Sequence, residues 1–262
     1  MEKHIAGIIP VAGLALDFNF PWHDCLMPVG KDYHAIERAI NTAALAGCDT
    51  IWIVLDRSTQ PIIRKKVGEW IYDPKFVWQH PSPFIKKREI PIYYTPIKSK
   101  DKGKRDSSGW SALYCTKVAR YVSMKISKWV TPASYLIVSP YGIIDDEIIK
   151  DSRSLIKSGK SIAFADQHGS FKDNNPLPFT INDVDRLSAL KHAKENYSGK
   201  DSGKTWNEVF EKVDVSNYKI IQPNWSYNIS SWAGYAGFMS SGNIIERPPY
   251  LISHKWHGLV KS

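Results

Sequence analysis

The feature that most restricts the fold of this chain is an alternation running through its first 165 residues, in which short continuous apolar runs alternate with longer segments of helical spacing. The runs at 5–10 (IAGIIP), 50–55 (TIWIVL), 92–95, 134–139 (SYLIVS) and 161–165 (SIAFA) are rich in β-branched residues and end at turn formers. Runs of that length without polar interruption read as strands covered on both faces. Between them, residues 32–47 read as a helix. Asp32 stands at the N-cap position, Ile36, Ile40, Ala43 and Ala44 share a face, and Gly47 sits at the C-cap. Residues 59–72, with Pro61 in the first turn, 108–129 and 145–158 are expected to be helical as well. Strands and helices in strict alternation with short connections predict an α/β fold, a right-handed, doubly wound and mostly parallel sheet.

After residue 165 the rhythm changes. Residues 168–179 are a Gly/Asn/Pro-rich loop, 182–196 and 205–213 are expected helices, and 218–222 and 232–240 (WAGYAGFMS) are expected strands. At 262 residues the chain suits one large domain, its second part facing the same cleft as the first. A hydrophobic fraction of 43% with 23% charged residues excludes a disordered or fibrous chain. No apolar run approaches the roughly 20 residues that span a bilayer, so no membrane partner is expected. The N-terminal stretch has one Lys before an apolar run and differs from a secretory signal. Cys25, Cys48 and Cys115 show no paired spacing, which fits a reduced, cytoplasmic compartment. The net charge of +9 favours a polyanionic or phosphorylated partner. No protein partner is indicated.

In doubly wound sheets ligands bind beyond the C-terminal strand ends. That directs attention to the turns at 10–13, 55–58, 95–109, 139–145 and 166–169. At Pro10, Val11, Ala12 and Gly13 the glycine permits close backbone approach, so the main chain there either reads a nucleobase edge or is a plain turn.

The order IIPVAG (8–13), LMPVGKDYHAIERAI (26–40), an Ala-Gly-x-Asp turn at 46–49 and then TIWIV resembles the start of sugar-phosphate nucleotidylyltransferases. Those proteins share the nucleotide-diphospho-sugar transferase fold, a Rossmann-like three-layer sandwich, with type A glycosyltransferases. The resemblance covers residues 5–165 in order. It implies a nucleotide-sugar-binding half at 1–165 and an acceptor-side half at 166–262. It places Gly109 and Trp110 where the family's helix start meets the base, and residues 135–142 (YLIVSPYG) where the family delivers its metal-binding Asp. Residues 232–239 fall where a late strand closes the sugar site. Lys31, with Lys102, Lys104 and Arg105 of the cationic stretch 98–108, would meet phosphates; solvated flexibility is the other reading of that stretch.

The departures from the family bear on the chemistry. Nucleotidylyltransferases follow the first strand with a Gly-rich loop carrying Arg and place a Lys before the PV segment. This chain has Asp17 and Asp24 there. A carboxylate in contact with a triphosphate costs on the order of 4 kcal/mol at an effective dielectric of about 20. The reading that follows is a glycosyltransferase using a nucleoside diphosphate sugar donor. A sugar-1-phosphate nucleotidylyltransferase and a non-catalytic nucleotide-sugar-binding protein are the alternatives. For a divalent cation (Mn or Mg) bridging the diphosphate, the candidates are Asp145, Asp146 and His257, with His254 beside it; the two Asp residues serve equally as N-terminal helix charges. As general base, Asp166 is the first candidate and Asp145 the second, Asp166 also reading as a turn carboxylate. Basic clusters at 64–66, 86–88 and 98–105, interleaved with Trp78, Phe84, Tyr93, Tyr94 and Trp110, either point to DNA as acceptor or are plain solvated faces. A hydroxymethylated base of the kind found in bacteriophage DNA offers the required hydroxyl, which would place the protein in a host cytoplasm.

Overall fold

The computed structural model describes residues 3–12, 16, 18–79, 88–98, 101, 107–197, 205–243 and 245–251. In chain order the elements are β1 (Ile5–Pro10), β2 (Pro28–Gly30), β3 (Tyr33–His34), α1 (Ala35–Leu45), β4 (Thr50–Leu55), α2 (Gln60–Val67), β5 (Trp70–Tyr72) and α3 (Pro74–Gln79). Then come β6 (Glu89–Pro96), α4 (Ser108–Ile126), β7 (Ser134–Ile137), β8 (Gly142–Ile144), α5 (Asp146–Lys157) and β9 (Ile162–Phe164). The chain continues through β10 (Phe179–Asn182), α6 (Asp183–Asn196), α7 (Trp206–Val209), β11 (Lys219–Ile221), β12 (Ser226–Asn228) and α8 (Trp232–Ser240).

Eight strands form the main sheet in the order β11-β9-β10-β7-β1-β4-β6-β5. β1 pairs in parallel with β4 and β7, β4 with β6, and β9 with β11; β5 and β10 run against their neighbours. The expected mostly parallel α/β sheet is therefore present. Its central strands alternate between two cores, which explains their unbroken hydrophobicity. Ile5 and Ile9 of β1 with Ile51, Ile53 and Leu55 of β4 pack on the side of α1 and α5. Ala6 and Ile8 with Trp52 and Val54 pack on the side of α4, α6 and α7. Among the described residues no helix is long and apolar enough to cross a membrane.

Several elements differ from the sequence expectation. The stretch 232–240 is the helix α8 and not a strand. Ser231 caps it by accepting from Gly234 N–H at 3.2 Å, and Trp232, Tyr235 and Phe238 recur at three-residue helical spacing. The helix expected over 59–72 ends at Val67, because Gly68 takes φ +90°, and the chain re-enters the sheet as β5. Asp32 does not cap α1. It lies in the β2–β3 turn at φ +54°, and His34 is the cap. α4 stops at Ile126, and α7 is a single turn where residues 205–213 were expected to be helical. β10 begins at Phe179, the last residue of the stretch read as loop, and inserts antiparallel between β7 and β9.

At the opposite, N-terminal edge of the sheet a buried ionic network joins β4, β5, β6 and α5. Asp73, 1% exposed, accepts from Arg153 Nη2 on both oxygens (3.1 and 2.9 Å) and pairs with Arg88 Nη1 at 3.5 Å. Asp49 pairs with Lys157 at 2.8 Å and with Arg88, and accepts from Ile5 N–H at 2.9 Å. On the other side of α1, buried Glu37 faces His34 Nδ1 (2.8 Å), Arg247 (3.0 Å) and Lys66 (3.6 Å). Burial pushes both the Glu37 and Asp49 carboxyls up. Hydrogen bonds and positive neighbours outweigh it, His34, Lys66 and Arg247 for Glu37 and Lys157 with Ile5 N–H for Asp49, so both end below the ordinary carboxylate range.

The sign follows from linkage. A depressed folded-state pKa stabilises the fold fully above the unfolded value of about 4, and that contribution is lost as pH falls through the folded value. The melting temperature is expected to be flat between about pH 6 and 5 and to drop below about pH 4. Glu37→Gln should flatten that acid limb. An acid limb identical in Glu37→Gln and Asp49→Asn would place the proton uptake elsewhere.

Candidate functional site

β1, β4, β6 and β7 bring their C-terminal ends to one edge of the sheet. Beyond β1, the N–H groups of Val11 and Ala12 both donate to Val54 O, at 2.8 and 3.0 Å. Ala12 O in turn accepts from Ser111 Oγ at 3.2 Å. Ser111 lies in the first turn of α4, whose N-cap Ser107 accepts from Trp110 N–H at 3.1 Å. The longest described helix therefore aims its partially positive N-terminus at the end of β1, where the helix dipole stabilises an anionic group.

The loop after β1 covers this edge. Leu16 N–H donates to Asp24 Oδ2 at 3.0 Å and Cys25 N–H to His23 Nδ1 at 3.3 Å. The second bond needs an unprotonated Nδ1. Burial supplies that condition by lowering the His23 pKa against the raising effect of Asp24 and Asp56. Tyr141, from the turn after β7, packs under the loop at 1% exposure, and its hydroxyl has no hydrogen-bond partner among the described residues. Burial, together with Cys25 and Asp24, holds its pKa well above the ordinary tyrosine value.

The sequence-derived candidates fall in different places. Pro10, Val11 and Ala12 are at the rim, but the Val11 and Ala12 N–H groups are committed to Val54 and do not face a ligand. Gly109 and Trp110 open α4 as expected. Trp110 is only 8% exposed and packs in the core, and a Cβ on Gly109 would meet Val209 at 3.1 Å, so both pack inward. Lys31 sits exposed on the β2–β3 turn. Asp145 caps α5, accepting from Glu147 N–H at 3.0 Å and from the Asn224 amide at 2.7 Å, while Asp146 pairs with Arg38 at 2.6 Å. Asp166 accepts from His168 N–H (2.7 Å), the Asn175 amide (2.8 Å) and Ser226 Oγ. Gly13, Asp17, Lys102, Lys104, Arg105, His254 and His257 lie outside the described residues.

Among the basic clusters, Arg64 pairs with Glu69, Lys66 with Glu37, and Arg88 with Asp49 and Asp73. Tyr93 stacks on Trp52, and Tyr94 donates to Gly68 O. Sequence reasoning gave no role to Tyr141, Ser111 and Asn224, and did not join Phe18, Phe20 and Trp22 to Trp232 as one set of rings, of which Trp22 and Trp232 are exposed. The FNFPW run at 18–22 is the one signal that pointed to the last group.

No protein-family model and no curated protein matches the chain by sequence. Solved structures do match in shape. A protein from Bacillus anthracis assigned as a glucose-1-phosphate thymidylyltransferase superposes with a TM-score of 0.60 at 11% identity, over 94% of this chain and 98% of that one. The UTP-bound UGPase from Acinetobacter baumannii gives 0.59 at 12% identity, over 99% and 100%. A UDP-glucose pyrophosphorylase complexed with UDP-glucose gives 0.57 at 11%, over 90% and 97%. The chain has the nucleotide-diphospho-sugar transferase fold. In that fold the resemblance implies a metal-binding Asp in the turn after β7, and the described residues there do not suit a cation. Tyr141 and its neighbours fill the turn, Asp145 has both carboxylate oxygens engaged, and Asp146 is held by Arg38. Among the described residues no three acidic, His or Cys side chains converge as ligands.

Proposed function

We propose that the chain is a transferase acting on nucleotide-linked sugars, with the nucleotide held at the C-terminal edge between the end of β1 and the N-terminus of α4. Residues 1–165 form the nucleotide-sugar half and residues 166–262 the acceptor half. The likeness over 99% of this chain and 100% of a UTP-bound pyrophosphorylase carries this reading and favours nucleotidylyl transfer. In that reaction a sugar-phosphate oxygen bonds to the α-phosphorus of a nucleoside triphosphate as the bond to pyrophosphate breaks. The α4 N-terminus would stabilise the developing phosphate charge, with Lys31 assisting.

One observation favours a second reading. Asp24 lies in the loop where a triphosphate would need cations, and its carboxylate is built into that loop through Leu16 N–H. That suits a preformed nucleoside diphosphate sugar and glycosyl transfer, with Asp166 or Asp145 taking the acceptor proton. A hydroxymethylated DNA base would be one acceptor, and salt-dependent DNA binding would be its signature.

Thermal melting separates these. Ligand at about 100 times its Kd stabilises the folded state by about 2.7 kcal/mol, a clear rise in melting temperature. Stabilisation by nucleoside triphosphates, followed by pyrophosphate release with a sugar 1-phosphate, is the expected result. Stabilisation by a diphosphate sugar alone, with release of nucleoside diphosphate, selects glycosyl transfer. Binding without turnover selects a non-catalytic protein, and no stabilisation by either ligand class removes the nucleotide-sugar reading.

A further inference from the structure

The loop after β1 and the start of α8 together build a continuous wall of aromatic rings. Phe18 stacks on Phe20 with centroids 5.4 Å apart and planes 21° from parallel, and Phe20 stacks on Trp22 at 5.4 Å and 11°. Trp232 of α8 stands across this ladder, 4.9 Å from Phe18 at 87° and 5.6 Å from Phe20 at 67°. Tyr235 closes the corner 6.1 Å from Trp232 and 6.3 Å from Phe18. The wall is anchored from below. Phe18 is 5% exposed, Tyr235 Oη donates to Pro28 O at 2.8 Å, and Asp24 fastens the loop through Leu16 N–H. Its outer rings remain open, Trp22 at 49% and Trp232 at 52% exposed.

A patch of large rings on the surface costs free energy unless something covers it, and such patches mark binding sites. The rings' geometry and charge narrow the occupant. The open faces of such rings are electron-rich and attract the C–H groups of an aliphatic ring, through the same quadrupole that orders aromatic pairs. The described cation–ring contacts fall on other rings, namely Tyr94, Tyr114, Tyr121, Trp78, Phe171 and Tyr135. In sequence the wall is flanked by the neutral groups Asn19, Ser230 and Ser231, by His23 and by the carboxylates Asp17 and Asp24, and by no Lys or Arg. An anionic ligand finds no cation among these groups, and the Asp24 carboxylate is already engaged by Leu16 N–H.

We propose that Phe18, Phe20, Trp22, Trp232 and Tyr235 form a stacking platform for a neutral pyranose ring at the mouth of the crevice. Its place beside a nucleotide site rests on the function proposed above; the platform itself stands on the rings.

Calorimetric titration of the full chain with maltotriose, cellotriose and the N-acetylglucosamine trimer tests this, with UDP as the control ligand. The wild type is expected to bind at least one trimer. The double variant Trp22→Ala/Trp232→Ala, which removes exposed rings only, is expected to weaken that binding about tenfold while leaving its melting temperature and UDP affinity essentially unchanged. Equal glycan affinity in both proteins, or no glycan binding by the wild type, overturns the proposal. So does a selective loss of UDP affinity, which would make the wall a base-stacking site. Sedimentation showing a wild-type dimer that the double variant dissociates also overturns it, the wall then being an interface between copies. If glycans bind as expected and neither UDP nor any nucleotide sugar binds the wild type, the nucleotide reading fails alone and the platform stands.

Discussion

Asp73→Ala is expected to lower the free energy of unfolding by roughly 3–5 kcal/mol, the range seen when one partner of a buried ion pair is removed. Asp73 is 1% exposed, accepts from Arg153 Nη2 on both carboxylate oxygens, pairs with Arg88, and accepts from Lys75 N–H at 3.0 Å. Arg153 also donates from Nη1 to Ala44 O and Leu45 O, at 3.2 and 3.3 Å, satisfying carbonyls at the C-terminus of α1. Removing the carboxylate leaves the half-buried Arg153 charge without its counter-ion and loosens the junction of α1, α3 and α5 together. Urea denaturation measures the effect as a lower midpoint with an unchanged slope. Asp73→Asn keeps an acceptor for Arg153 and for Lys75 N–H and should cost less. A loss below about 1 kcal/mol for the Ala variant would show that water compensates the arginines, as it does for surface pairs.

The central sheet was legible because each of its strands carries two buried faces. Ile5, Ile8 and Ile9, or Ile51 through Leu55, leave no reading other than a strand in a covered sheet. The short edge elements lacked that signal. β5 has only three residues, and just one of them, Ile71, is fully buried, so WIY continued the apparent helix until Gly68 took a backbone conformation that a helix cannot. α8 was misread for a related reason. Its nine residues are almost all apolar or glycine, so hydrophobicity alone could not choose a period, and the three-residue recurrence of Trp232, Tyr235 and Phe238 was the feature that mattered.

The site was less legible than the fold. Sequence placed carboxylates near the crevice, and three of them are indeed near strand or helix ends. What it could not give was their partners. Asn224 lies 79 positions from Asp145, and Ser226 lies 60 from Asp166, so the donors that occupy these carboxylates come from a distant segment with no local pattern. Tyr141 illustrates the same limit. A tyrosine in a turn reads as exposed, and its burial under Asp24 and Cys25 arises only because the loop after β1 folds across the end of β7. The cationic clusters show the converse. Arg64, Lys66 and Arg88 looked available for phosphate, yet their counter-charges at Glu69, Glu37, Asp49 and Asp73 were supplied by tertiary pairing.

Gly142→Ala should cost about 3 kcal/mol, at the upper end of overpacking penalties, and should also weaken nucleotide-sugar binding. A Cβ on Gly142 would lie 2.1 Å from Pro176 O and 2.7 Å from its carbonyl carbon, and both are backbone atoms that no side-chain rotation can move. Relief requires β8 to separate from the segment leading into β10. Gly142 pairs with Asn228 of β12 and directly follows Tyr141, whose own carbonyl accepts from Ile229 N–H at 2.8 Å, so the displacement passes into the crevice floor and the base of α8. Gly237→Ala is the matched control. Its Cβ would meet nothing within 4 Å, and in a helix interior the change from Gly to Ala should stabilise by about 0.5–1 kcal/mol. Thermal melts of both variants, with and without UDP-glucose, give the answer. A Gly142→Ala protein as stable as the wild type would mean that the contact of β8 with Pro176 yields freely, and the turn after β7 would then be a movable part of the site instead of its fixed floor.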